Sequence, residues 1–137
     1  NKSKMKKLSI VFATIFIVSC SNDEKDEAIS KFSTPSNLQG TYCYISGSTV
    51  FFDKDNNASC IAKPKSTLTF KYNSSLNATT IQWSIEAQPA GSIIVNGNTN
   101  QETISLTFKA DFEKGSINSI GESEKGICGP TLFITNR

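Results

Sequence analysis

The sequence predicts an all-β protein: a single antiparallel sandwich of seven or eight short strands in residues 38–137, behind a leader and a flexible tether. Three observations predict it. Three runs alternate apolar and polar residues with a period of two, as a sheet with one wet side requires. Turn-forming residues punctuate the chain between those runs. No stretch beyond the tether shows helical periodicity, and short strands at this density suit a sandwich.

The elements follow in chain order. Met5 is the only methionine among 137 residues, so translation is expected to start there. Lys6 and Lys7 then form a positive stretch, and Leu8 to Val18 form an apolar run. A helix of that length is too short for a bilayer core that needs about twenty residues. Residues 1–19 therefore read as a signal peptide rather than a permanent span.

The run Ile17-Val18-Ser19-Cys20 resembles the lipobox of bacterial lipoproteins. That resemblance implies cleavage before Cys20 and a thioether from its thiol to diacylglycerol, with the small Ser19 suiting the peptidase. The implied partner of Cys20 is the membrane, since each buried CH₂ of an acyl chain contributes about 0.8 kcal/mol. Ser21 follows, and "SNDEKDE" is similar to the acidic export signal of surface lipoproteins in the Bacteroidetes group. Its residues here are Ser21, Asp23, Glu24, Asp26 and Glu27. The implied location is the outer membrane, on the cell surface in preference to the periplasmic face.

Residues 20–37 are polar and charged, with too little apolar surface to offset ordering entropy, and read as a tether. Strand-like runs then follow at 41–46, 49–53, 66–72, 79–86, 91–95, 102–110, 115–120 and 130–135. Leu68, Phe70 and Tyr72 share one face, as do Ile81, Trp83 and Ile85, and again Ile104, Leu106 and Phe108. Asn96-Gly97 predicts a two-residue hairpin turn, and Gly115 a turn with positive φ.

The run from Cys60 to Ile134 resembles the PKD-like and immunoglobulin-like modules of Bacteroidetes extracellular proteins. The features that carry it are Cys60, "TLTF", "IQWSI", "GSIIVNGN", "TISLTF" and Cys128-Gly129. It departs from antibody-type domains, because Cys60 and Cys128 fall at strand starts and Gly126 stands where a Tyr is usual. The resemblance implies a Cys60–Cys128 disulfide and a non-catalytic binding or envelope-assembly module. Cys43–Cys60 is a rival pairing, since the segment between could fold back as a hairpin. The "LQGTY" at 38–42 is similar to lipocalin-like small lipoproteins, whose closed barrel would hold an apolar ligand.

Composition excludes several classes. From Cys20 onward twelve acidic residues outnumber ten basic ones, so no basic stripe offers a grip on nucleic acid. Histidine is absent, which removes Ser-His and Cys-His chemistry. Asp111/Glu113 and Glu122/Glu124 are carboxylate pairs that more simply face water, so no enzyme and no cofactor is expected. Asp53, Asp55 and Asn57 space oxygens as calcium loops do. Ala58 and Pro64 stand where an EF-hand needs Gly and Glu, so a solvated turn and no metal are expected. The expected partner is a protein or glycan of the envelope. It would meet a face of Thr, Ser and aromatics without a deep cavity, and Tyr42, Tyr44, Phe51 and Phe52 are the candidates.

Overall fold

The computed structural model describes residues 33–137. The leader, Cys20 and the export-signal residues lie outside that range. The chain forms β1 (Cys43–Gly47), β2 (Val50–Phe52), β3 (Ala58–Ile61), β4 (Thr67–Ser74) and β5 (Thr80–Gln88). It continues with β6 (Ile93–Asn96), β7 (Thr103–Phe108), β8 (Lys114–Ser123), β9 (Gly126–Cys128) and β10 (Thr131–Thr135). There is no helix among the described residues. All eight expected runs are strands, and β3 and β9 are additional.

The strands make two sheets, ordered β1-β4-β7-β6 and β2-β3-β10-β8-β5, with β9 also on β8. Each sheet keeps two edges, so neither closes into the lipocalin-like barrel. Their inner faces meet in one core. Ile45, Phe70, Tyr72, Ile93, Ile104, Leu106 and Phe108 come from the four-stranded sheet. Val50, Phe52, Cys60, Trp83, Ile117, Leu132 and Ile134 come from the other. These are the positions that period-two alternation assigns to one face, and burying them is the main favourable term.

Pairing is antiparallel except for β3 beside β10, where Ile134 lies against Cys60. Strands β9 and β10 form one line against β8, since Cys128 faces Gly121 and Thr131 faces Asn118 in a single register. Pro130, with no N–H to donate, interrupts that line.

Two turn expectations need correction. The β6–β7 connection spans 97–102 instead of two residues, although Gly97 does take a positive φ of 107°. The longer loop lies along the edge of β5, where Thr99 O accepts from Trp83 N at 2.8 Å and Gln101 O from Trp83 Nε1 at 2.7 Å. Gly115 sits inside β8 with an ordinary φ. Its lack of a side chain is required by crowding: a Cβ there would lie 2.5 Å from Glu86 O.

The disulfide is also different. Cys43 pairs with Cys128, with a Cα separation of 6.1 Å. Cys60 is a free, buried thiol, with its Sγ 3.4 Å from Thr49 Oγ1. Neither Cys60–Cys128 nor Cys43–Cys60 forms. The reason is position along the strand. Cys60 sits beside Ile134, six residues past Cys128 on the β9–β10 line. At the strand rise that is about 20 Å, far beyond the reach of a disulfide. Cys128 instead faces across the core to the edge strand β1.

Candidate contact face

Alternation gives the larger sheet an outer face as well as a core face. Strand β5 contributes Thr80, Gln82, Ser84, Glu86 and Gln88, all exposed. Strand β8 adds Lys114, Ser116, Asn118, Ile120 and Glu122, in register with them. Then come Ile127, Thr131, Phe133 and Thr135 from β9–β10, Ser59 and Ile61 from β3, and Phe51 from β2. Only Glu86, Lys114 and Glu122 carry charge.

Six large apolar side chains are exposed among the described residues: Phe51, Ile61, Ile94, Ile120, Ile127 and Phe133. All except Ile94 lie on this one face. Phe133 is the most open, at 69%. It stands opposite Ser116 on β8, and the parallel pairing puts Ser59 on its other side. Short serines on both flanks leave the ring uncovered.

An open depression of ≈ 700 Å³ adjoins that ring. Its walls include Glu86, Gln88, Lys114, Ser116 and Thr135, with Ala90 and Gly91 from the β5–β6 turn. The side chains of Glu86, Gln88, Lys114 and Ser116 have no hydrogen bond or ion pair among the described residues.

The four-stranded sheet differs in this respect. On its outer face Thr67 and Thr107 hydroxyls bond each other at 2.9 Å, and Asn96 Nδ2 donates to Thr107 Oγ1 at 2.9 Å. Asn73 Nδ2 donates to Ser46 Oγ at 3.0 Å, and Lys71 pairs with Glu102 at 3.7 Å. Those polar groups are already satisfied by one another.

The aromatics singled out from sequence divide. Phe52 is buried in the core, and Tyr44 is half-buried edge-on against it at 5.7 Å. Tyr42 stacks on Tyr44 at 6.4 Å. Phe51 alone of the four joins the outer face. Phe133 escaped notice because it stands between Leu132 and Ile134, where three apolar residues in a row hide the alternation. Trp83 is a core residue, 2% exposed.

The Asp53 loop turns on itself. Asp53 Oδ1 accepts from the backbone N–H of Asp55 at 2.8 Å and of Asn57 at 2.9 Å. The Asn57 bond, chiefly, holds the Asp53 carboxyl below its usual range. Next to it, Asn56 exchanges two bonds of 2.9 Å with the backbone of Ser36. The end of the tether is thus pinned to the β2–β3 turn. Burial pushes the Cys60 thiol up, so it stays protonated and unreactive at neutral pH. Asp111, Glu113, Glu122 and Glu124 are exposed or border solvent, and none lines the depression beside Phe133.

No family model matches the chain, and no curated protein matches it. Among solved structures it is similar to a chimeric titin Z1Z2 functionalized with a KLER exogenous peptide from decorin. The identity is 13% and the TM-score 0.39, over 71% of this chain and 96% of that one.

Proposed function

We propose that this chain is a lipid-anchored lipoprotein of the outer membrane, displayed on the cell surface, that presents a non-catalytic sandwich of the immunoglobulin/PKD type as a binding module. Contact is made through the outer face of the larger sheet. One observation carries the assignment of that face: of the six large apolar side chains exposed among the described residues, five gather on it, among uncharged Thr, Ser, Gln and Asn. Exposed apolar side chains gathered on one face mark a site of interaction with a partner or ligand. Covering the Phe133 side chain would contribute about 1.5–3 kcal/mol.

The anchor rests on Ile17-Val18-Ser19-Cys20 and the acidic run after it. The pinning of Ser36 to Asn56 supports the geometry of display. Asn56 precedes β3, which runs parallel to β10, so the tether enters at the Thr131 end. The depression, with Gln88, Gly91 and Thr135, lies at the opposite end of the same sheet from that entry point.

Two measurements test the reading. Cys20→Ala in the full chain should abolish palmitate labelling and release the protein from membranes; unchanged labelling overturns the anchor. Phe133→p-benzoylphenylalanine should give a photo-adduct on intact cells, and the same substitution at Thr69, on the other sheet, should not. Equal yields at the two positions overturn the choice of face.

A further inference from the structure

We infer that the depression beside Phe133 binds an uncharged saccharide, with one hexose ring stacked on the phenyl ring and its hydroxyls held by the surrounding side chains. This deepens the contact-face reading and rests on it.

The argument starts from what the side chains can offer. The phenyl ring has a negative π-face, and serines on either side leave it open. The C–H face of a pyranose carries a slight positive charge and is flat enough to lie against it. Around the ring, Glu86 presents only acceptors, Lys114 only donors, and Gln88 and Ser116 both. A sugar hydroxyl needs that mixture, because each one donates and accepts. None of the four is spent on another group among the described residues.

Charge narrows the class. One carboxylate and one ammonium leave the depression neutral, so it favours neither a sulfated or uronic polymer nor a cation. Size agrees, since ≈ 700 Å³ falls within the span of about 300–1,000 Å³ for small-ligand sites. A protein partner would need about 800 Å² of cover on each side with a core depleted of charge. A Glu and a Lys in the walls work against that.

A second depression, beside Tyr42 and Tyr44, shows the contrast. It too has aromatics and polar walls, but its Lys71 is paired with Glu102 and its Asn73 amide is bound to Ser46. There the charged pair is closed on itself, whereas Glu86 and Lys114 form no ion pair among the described residues.

The test uses the full chain in detergent micelles, titrated with hexasaccharides of glucose, mannose, xylose and N-acetylglucosamine, and with a uronic-acid hexamer as the charged control. Backbone NMR shifts are read on Glu86, Lys114, Ser116 and Thr135. At least one neutral probe should saturate these shifts at millimolar concentration or below. Phe133→Ala should then weaken binding by about tenfold or more, while Phe51→Ala, outside the depression, changes it less than about twofold. Binding that survives Phe133→Ala overturns the inference, as does preference for the uronic hexamer. No response to any neutral probe overturns it too. If the Phe133 photo-adduct still forms on cells in that case, the contact face stands with another partner; if it does not, both readings fall.

Discussion

Tyr72 on β4 reaches across the core and donates its hydroxyl to the carbonyl of Cys128 on β9, 2.8 Å away. Its ring passes directly over Gly121 of β8, which faces Cys128 in the ladder. Cys128 in turn is bonded to Cys43 at the edge of the first sheet. One corner of the sandwich is therefore closed twice, by a covalent bridge and by a hydrogen bond that converge on the same residue.

Gly121 makes that crossing possible. A Cβ at this position would lie 2.5 Å from Tyr72 Cζ and closer still to the hydroxyl oxygen. Gly121→Ala should destabilise by about 2–3 kcal/mol, because the ring has no slack in a packed core. Tyr72→Phe should cost less, about 1 kcal/mol, for one lost hydrogen bond. Tyr72→Leu in the Gly121→Ala background should recover part of the loss, since the clash disappears with the ring. Urea unfolding of Gly121→Ala, Tyr72→Phe, Tyr72→Leu and the Gly121→Ala/Tyr72→Leu double variant checks this; additive losses in the double would show that the two residues do not meet.

The disulfide joins residues separated by 85 positions. Closing a loop of that length in the unfolded chain is worth about 4–5 kcal/mol in the chain-entropy account. Cys43→Ser and Cys128→Ser should each lower stability by a large part of that, and by similar amounts. Cys60→Ala should leave the bridge intact. In the native protein Cys60 should resist alkylation, and it should react at once after unfolding, because its thiol is buried and stays protonated. Peptide mapping under non-reducing conditions should recover Cys43 linked to Cys128 and Cys60 alone.

The sequence discloses the core more fully than the face. Strands β4, β5 and β7 were legible because each alternates strictly, and Phe70, Trp83, Leu106 and Phe108 are buried as that pattern requires. Strand β3, "ASCI", and β9, "GIC", are too short and too poor in contrast to stand out. Their pairing is fixed by distant strands, β3 by β2 and β10 and β9 by β8. The bridge was hidden for the same reason. Cys128 shares inward parity with Leu132 and Ile134, which points it at the core, but nothing local says that Cys43 waits opposite. The contact face is the hardest part to read. It depends on which of Leu132, Phe133 and Ile134 points outward, and only the register with Ser116 decides that.

The β2–β3 turn makes the last prediction, and it depends on pH. Asp53 accepts two backbone N–H groups, which favour its charged form and lower its pKa below the ordinary carboxyl value. The sign follows from linkage. A carboxyl with a depressed native pKa supports the fold above its unfolded pKa, and that support is lost as pH falls through the native value. Because the Asp53 carboxyl borders solvent in a surface turn, the effect should be local rather than global. Amide hydrogen exchange at Asp55 and Asn57 should quicken as the carboxyl protonates, and Asp53→Asn should show the quickened rate already at neutral pH. The same acidification should loosen the Ser36 backbone, since Asn56, which holds it with two bonds, sits in the turn that Asp53 organises. If exchange at Asp55 and Asn57 does not change between neutral pH and the acid side of the Asp53 titration, the carboxylate does not hold the turn.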